Sequence, residues 1–231
     1  TRLAEHGIDT TETMINLTAD NYWESARDAL AVAKQLGEKI ILMGTSTGGT
    51  FALQLAAAYP NDVFALVLMS PNIAINDPNA WLLNNHWGLQ IARMVTKSNY
   101  ITTREDYGPL YRQYWYTKYR SEAVVALEEL VETTMNKETF SKVTQPVGLF
   151  YYFKDNVHQD STVKVSAELE MFDQLGTPAA MKYKEAIPEA GTHVIGSSIR
   201  SHDVEGVKKG VAHFLSDVAH IPMTADTVRH F

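Results

Sequence analysis

The sequence has no cysteine among its 231 residues. Disulfide bridges, thiolate metal sites and a cysteine nucleophile are therefore excluded, and the redox compartment is left open. Basic residues are also scarce, since 20 lysines and arginines face 27 aspartates and glutamates and the net charge is −7. This balance disfavours a nucleic-acid-binding protein, which needs clustered basic side chains to displace counterions. Small uncharged or amphipathic substrates fit the charge better.

Long apolar runs are absent too, because no stretch approaches the ~20 residues that cross a bilayer. The first residues do not follow a signal-peptide pattern, so the cytoplasm is the default compartment, while the sequence leaves compartment and oligomeric state open. No metal-ligand spacing such as His-Glu-x-x-His is found, and we expect no metal and no organic cofactor.

What is present is typical of a globular protein, with 45% hydrophobic and 20% charged residues. Apolar runs alternate with helical periodicity, which predicts an α/β fold, a mostly parallel sheet with helices on both faces. The predicted strands are 39–43, 63–69, 147–153 and 181–187, and the predicted helices are 21–36, 51–59, 163–175 and 204–218. We expect Asp20 to cap the first helix and Gly37 to end it.

Residues 72–146 follow a different pattern, with three of the four tryptophans, a cluster of tyrosines, a helical pattern at 123–135 and no buried strand. We therefore predict that 1–71 and 147–231 form the α/β core and that 72–146 form an inserted helical cap. The aromatic side chains of this cap are candidates for an apolar acyl pocket. Aromatic residues at helical spacing are more often core residues, and both roles can hold at once.

A candidate nucleophile lies in the sequence Gly-Thr-Ser-Thr-Gly at 44–48. A sharp strand-to-helix turn exposes a serine hydroxyl, and glycines two residues on either side relieve crowding there. A random chain of this length contains such a pattern roughly one time in a dozen, but here a predicted strand precedes it and an Ala-rich helix follows. The residues of a phosphate-binding loop are missing. We therefore interpret Ser46 as the nucleophile and the Thr47 N–H as an oxyanion donor.

The base is predicted to be His193, which lies between two glycines in a loop after a predicted strand and before the last helix. Packing or surface roles are favoured for the other histidines, which are His6, His86, His158, His202, His213, His220 and His230. The acid should follow the strand that ends near residue 153, where Asp155 and Asp160 are both candidates. We prefer Asp160, because a turn residue just before a helix can reach back toward His193.

These motifs together resemble a known superfamily. Gly-Thr-Ser-Thr-Gly-Gly at 44–49, Gln-Asp-Ser-Thr-Val at 159–163 and Gly-Thr-His-Val at 191–194 follow one another in the order serine, acid, histidine. Over essentially its whole length the chain is similar to the α/β-hydrolase superfamily, particularly the carboxylesterase and monoacylglycerol-lipase-like branch with a helical cap. The resemblance implies that Ser46 attacks an ester carbonyl, His193 takes its proton and Asp160 orients the imidazole.

The chain departs from this family at its start. The sequence Arg-Leu-Ala-Glu-His-Gly at 2–7 resembles a loop that follows the fourth strand in the family, so the chain looks N-terminally incomplete. We expect another ~60–80 upstream residues, enough for three or four strands. The loop that usually supplies the second oxyanion N–H is not found in this sequence, and 40–43 are expected to form an exposed apolar edge.

The leading hypothesis is a serine hydrolase that cleaves carboxylic esters, with lipid-like acyl esters among the candidates. Its partner would be a small-molecule ester. An amide or peptide hydrolase with the same triad is a second hypothesis, because the motifs do not separate the two. A non-catalytic binding protein that retains the fold is a third.

Overall fold

The structure is a computed structural model that describes residues 2–7, 11–103 and 107–222. Its helices are α1 (Ala19–Leu36), α2 (Thr47–Ala58), α3 (Gly88–Thr96), α4 (Gly108–Tyr114), α5 (Glu122–Thr134), α6 (Lys137–Lys142), α7 (Val165–Gln174) and α8 (Val204–His213). Its strands are β1 (Ile41–Ser46), β2 (Ala65–Pro71), β3 (Tyr100–Thr102), β4 (Lys118–Arg120), β5 (Val147–Tyr151) and β6 (Lys182–Ala186). Short 3₁₀ turns lie at Ala80–Asn84 and Ala179–Met181, and a π-helical turn at Phe214–Val218 extends α8.

The chain forms two compact units. One contains Thr1–Ala33 with Asp77–Thr134, and the other contains Lys34–Asn76 with Met135–Phe231. The second unit, which we name the sheet unit, contains every residue predicted to act in catalysis. The first unit groups the chain start with most of the predicted cap, so the functional division into core and cap stays a prediction.

The sheet unit is built on four parallel strands in the order β1-β2-β5-β6. The central strand β2 is buried at nearly every position, because helices cover both faces of a parallel sheet and select a continuous apolar run. The α/β fold predicted from alternating strands and helices is therefore confirmed.

Helix α8 and the π-helical turn pack on one face of this sheet. Their side chains join those of β2 and β5 in one apolar cluster that includes Val67, Phe150, Val211 and Phe214. Gly148 of β5 is needed there, since a Cβ atom at this position would lie 2.8 Å from the Phe214 ring. This packing holds β5, and the loop that follows it, in place.

Strand β1 pairs with β2 alone among the described residues, so its other side is an open edge. Met43 is 49% exposed on this strand, as the predicted apolar edge requires, whereas Ile40 just before it is buried at 8% exposure. The expected exposure is therefore right for Met43 and wrong for Ile40.

The residue that caps the N-terminus of α1 is Thr18, and the prediction of Asp20 is wrong. The Thr18 hydroxyl accepts a hydrogen bond from the Asn21 N–H at 3.1 Å, and the Asn21 side-chain oxygen accepts one from the Thr18 N–H at 3.0 Å. This reciprocal pair satisfies two amides that have no partner within the helix. Asp20 instead lies in the first turn, where its charge favours the helix dipole.

The first unit contains α3, α4, α5 and a small antiparallel sheet of β3 and β4. These two strands were not predicted, because each has three residues and only half-buried or exposed side chains. Arg120 of β4 bonds Glu12 and Glu122, each at 2.7 Å. The Tyr111 and Trp115 rings stack with their centroids 4.8 Å apart. None of the described helices is long and apolar enough to span a membrane.

Candidate active site

Ser46 lies at an abrupt change from strand to helix. It is the last residue of β1 and the N-cap of α2, which begins at Thr47, four residues before the predicted start. Its backbone has φ 56° and ψ −125°, a conformation that costs a non-glycine residue about 1–3 kcal/mol and is found mostly at functional sites. The side chain at such a turn points away from both elements, which leaves it accessible to a ligand.

The neighbouring strand carries a matching irregularity. Thr45 pairs with Met69 but Ser46 pairs with Pro71, so Ser70 is bulged out of the ladder, with a φ of 42°. Bulges bend a strand and re-aim its side chains. Two strained residues therefore stand side by side where β1 and β2 end.

The turn at Ser46 requires two glycines, Gly44 and Gly49, but it does not require Gly48, which stands opposite Gly44 in the motif. A Cβ atom on Gly44 would collide with the backbone carbonyl of Gly48, and one on Gly49 would lie 2.6 Å from the Pro71 Cβ. A Cβ atom on Gly48 would meet nothing within 4 Å. The prediction that glycines on both sides relieve crowding is therefore right for Gly44 and wrong for Gly48.

The first turn of α2 supplies hydrogen-bond donors beside Ser46. Thr47 is the first helical residue, and no side chain caps this helix end. The first amides of a helix have no acceptor within the helix, and the positive end of its dipole favours a negative charge there. The Thr47 N–H is thus available to a developing oxyanion.

Asp160 and His193 form a buried pair. The Asp160 Oδ2 accepts a hydrogen bond from the His193 Nδ1 at 2.7 Å, while Oδ1 accepts from the N–H groups of Thr162 at 2.8 Å and Val163 at 3.1 Å. The Asp160 side chain is 0% exposed and that of His193 is 13% exposed. Because a carboxylate only accepts, the proton of the neutral imidazole lies on Nδ1 and a lone pair lies on Nε2.

The His193 Nε2 atom is the other ring nitrogen of this pair. It is buried and has no hydrogen-bond partner among the described residues, so it does not hydrogen bond the Ser46 hydroxyl in this structure. Catalytic hydrogen bonds are often long in the absence of substrate and shorten when it binds. The pairing of Ser46 with His193 accordingly stays a prediction.

The loop that carries His193 is held by its own backbone. The Ile195 N–H bonds the His193 carbonyl at 3.0 Å, and the His202 N–H bonds the Ala190 carbonyl at 3.1 Å. Gly191 has a φ of 65°, in the left-handed region that suits glycine. Ala190 and Ile195 are fully buried and anchor the loop on the sheet unit.

Asp155, the other candidate acid, does not reach His193. Its side chain is 53% exposed and accepts hydrogen bonds from the N–H groups of Val157 and His158 and from the His158 ring. Hydrogen bonds from the backbone and ring of His158 lower the pKa of Asp155 to about 2. This carboxylate therefore stabilises a local turn.

Five of the other described histidines bond or pack locally, namely His6 with Leu3, His86 with Trp87, His158 with Asp155, His202 beside Gly191 and His213 with Asp217. The sixth, His220, is exposed. His230 lies outside the described residues. These contacts agree with the packing and surface roles expected from the sequence.

Residues 72–76 connect the two halves of the site, and the sequence interpretation missed them. The Asn72 N–H donates to the Ser46 carbonyl at 3.0 Å, and the Asn76 side-chain amide donates to the Asp160 carbonyl at 3.2 Å. The Asn76 N–H also bonds the Thr162 carbonyl at 2.9 Å. Two asparagines four residues apart, directly after a buried strand, are the signal that could have identified this segment.

A second buried carboxyl group lies near Asp160. Glu168 of α7 is 0% exposed, and neither of its carboxyl oxygens has a hydrogen-bond partner among the described residues. Burial, with a smaller contribution from the negative charge of Asp160, raises the pKa of Glu168 well above its usual value. Glu168 therefore stays protonated to a higher pH than an exposed glutamate does.

Comparison with known proteins gives a family match. The family described as serine aminopeptidase, S33, matches residues 16–157, more than half of the chain. The matched range includes Ser46 and ends before Asp160 and His193. No curated protein matches the sequence significantly.

Solved structures agree with the fold. One comes from the pair of metagenome-derived lipolytic enzymes LipS and LipT, with a TM-score of 0.73 and 14% identity over 93% of this chain and 80% of that one. A monoacylglycerol lipase from Paleococcus ferrophilus has a TM-score of 0.61 and 16% identity over 89% and 77% of the two chains. A monoglyceride lipase from Saccharomyces cerevisiae has a TM-score of 0.58 and 16% identity over 88% and 69%.

Proposed function

This chain belongs to the serine aminopeptidase S33 family of α/β hydrolases, and from that premise we propose that it is a serine hydrolase that cleaves carboxylic esters through an acyl-enzyme on Ser46. The observation that carries the proposal is the buried pair of Asp160 and His193, whose Nε2 atom has a lone pair and no partner among the described residues. A buried imidazole with one nitrogen fixed and the other unpaired is suited to accept a proton.

The first half of the reaction forms the acyl-enzyme. The Ser46 Oγ attacks the ester carbonyl carbon as its proton passes to His193 Nε2, and the carbonyl π electrons move to the oxygen. Asp160 stabilises the imidazolium and holds its orientation, since Thr162 and Val163 fix the carboxylate. The tetrahedral intermediate then expels the alcohol, which takes the proton from Nε2.

The second half of the reaction restores the serine. Water gives a proton to His193 Nε2 and attacks the acyl carbon, and the new intermediate breaks the bond to Ser46 Oγ, which takes the proton back. In both halves the Thr47 N–H stabilises the oxyanion, with the dipole of α2 in support. This mechanism uses residues of the sheet unit alone for its chemistry.

The substrate class is proposed from two kinds of support. Among the similar structures are a monoacylglycerol lipase and a monoglyceride lipase, so an ester, including a lipid-like acyl ester, is the first choice. The family description names an aminopeptidase, so amide or peptide hydrolysis by the same triad is the second candidate. A p-nitrophenyl ester and a p-nitroanilide with the same acyl group distinguish them, since we expect a higher kcat/KM for the ester.

The experiment compares ester hydrolysis by the protein with that of two variants. Ser46→Ala should lose at least about 10⁴-fold in kcat, because no other hydroxyl takes its place. Ser141→Ala, which removes an exposed hydroxyl on α6, is the matched control and should keep its rate. Equal rates for Ser46→Ala and the unmodified protein would contradict the proposal, and no hydrolysis of any ester or amide would support the non-catalytic alternative.

A further inference from the structure

Asn72 occupies a fixed position next to the nucleophile. It follows β2, its N–H donates to the Ser46 carbonyl at 3.0 Å, and its carbonyl accepts a hydrogen bond from the Thr50 hydroxyl at 2.6 Å. In parallel α/β sheets, ligands bind beyond the carboxyl ends of the strands, which is where both Ser46 and Asn72 lie. The backbone of Asn72 is therefore anchored at the edge of the sheet that carries the site.

The side chain of Asn72 takes no part in this anchoring. Asn72 is 3% exposed, yet its Oδ1 atom is buried without a hydrogen-bond partner among the described residues. Both bonds that anchor the residue come from its backbone, so any amino acid except proline could make them. Asn76 is different, since its side-chain amide bonds the Asp160 carbonyl. The Oδ1 atom of Asn72 therefore has no hydrogen bond that stabilises the fold among the described residues.

An unpaired buried amide oxygen destabilises a folded protein and is rare. In this region it does not stand alone, because the Ser70 Oγ and the His193 Nε2 are also buried and unpartnered among the described residues. For one of these three atoms, the His193 Nε2, the proposed mechanism supplies a partner, which is the proton of the nucleophile. Ser70 and Asn72 flank Pro71 at the end of β2, so two of these unpaired atoms belong to the edge of the sheet where ligands bind in parallel α/β folds.

We infer that Asn72 is a substrate-binding residue, whose side-chain oxygen accepts a hydrogen bond from a hydroxyl or amide N–H group of the substrate close to the scissile carbonyl. The inference rests on the proposed hydrolysis at Ser46 and narrows its substrate class to esters with such a donor. A substrate analogue without the donor leaves this buried oxygen unpaired, and its kcat/KM is lower for that reason. Polar sites discriminate in this way between substrates of equal size.

The test uses matched pairs of p-nitrophenyl and alkyl esters in which a hydroxyl on the acyl or the alcohol side is replaced by a methyl group. The unmodified protein should prefer the hydroxyl member of at least one pair by about tenfold in kcat/KM. In Asn72→Leu, which keeps the size and removes the polar atoms, this preference should fall to about twofold or less.

Gln54→Met is the matched control. The Gln54 Oε1 is also buried without a partner among the described residues, but Gln54 lies within α2 and does not contact Ser46 through its backbone. This variant should keep the full preference for the hydroxyl member. Loss of preference in Gln54→Met as well would show a general effect of packing and overturn the inference.

Three further outcomes would overturn it: no preference in the unmodified protein for any pair, an unchanged preference in Asn72→Leu, or an equal loss with both members of a pair. If Asn72→Leu does not fold, Asn72→Ala is judged by the same ratio. Hydrolysis of the methyl member by the unmodified protein separates this inference from the proposed function, because it requires Ser46 and His193 but no hydrogen-bond donor on the substrate. Its absence in the unmodified protein means that the proposed function itself has failed.

Discussion

Asp160→Asn should lower kcat/KM for ester hydrolysis about 10⁴-fold while the fold is kept. In the native protein, Oδ1 of Asp160 accepts two backbone N–H groups and Oδ2 accepts the proton of His193 Nδ1. Asparagine keeps the oxygen that binds the two N–H groups, so the turn at 160–163 should survive. Its NH₂ group then faces His193 Nδ1, and an NH₂ group can only donate.

The reversed hydrogen bond forces His193 into the other tautomer. Nδ1 must now accept, so the proton lies on Nε2, which can no longer take the proton of Ser46. The variant also loses the buried negative charge that stabilises the imidazolium. A 10⁴-fold decrease corresponds to about 5.5 kcal/mol of lost transition-state stabilisation.

Steady-state kinetics on a p-nitrophenyl ester measure the effect, and thermal unfolding measures the fold. Asp155→Asn is the control, because Asp155 is 53% exposed and bonds only its own turn. It should stay within about twofold of the native rate. An Asp160→Asn variant within tenfold of the native rate, or an Asp155→Asn variant that loses as much as Asp160→Asn, would refute the role of Asp160.

Two further predictions concern stability. Gly44→Ala should lower the free energy of unfolding by more than about 2 kcal/mol, because its Cβ atom collides with the Gly48 backbone. Gly48→Ala has open space around its Cβ atom and should be neutral or stabilising by up to about 1 kcal/mol. Urea unfolding measures both variants, and equal losses of stability would contradict the steric explanation. Glu168→Gln should gain stability relative to the native protein as the pH rises from 5 to 8. Because the pKa of Glu168 is raised in the folded state, the unfolded chain releases this proton at a lower pH than the folded protein does. Between the two pKa values, the free energy of unfolding of the native protein falls by up to about 1.4 kcal/mol per pH unit. A difference between the two proteins that does not change with pH would show that Glu168 is ionised in the folded state.

The central strands β2 and β5 of the sheet unit could be predicted because burial on both faces requires continuous apolar runs. Val147 to Phe150, for example, are all buried, and no polar residue interrupts them. The start of α2 could not be predicted from local preference, because Thr47, Gly48 and Gly49 are poor helix formers. The helix begins directly after the strained backbone of Ser46, and a Cβ atom on Gly49 would lie 2.6 Å from the Pro71 Cβ.

One part of the candidate site could be predicted from the sequence, and other parts could not. The position of Asp160 in a turn just before a helix predicted its approach to His193, and the structure brings the two together at 2.7 Å. Burial of Glu168 and Asn72 depends on how α7, β2 and the turn at 160–163 pack, which no local pattern encodes. A polar side chain in an amphipathic segment gives no sign of whether it faces solvent or a site.

Labelling with a fluorophosphonate followed by peptide mapping tests directly whether Ser46 is a nucleophile activated by His193, because such probes react quickly only with an activated serine. We expect one modified peptide, with the adduct on Ser46, and no labelling in Ser46→Ala or after removal of the base in His193→Ala. Labelling of another residue, or undiminished labelling of His193→Ala, would contradict it.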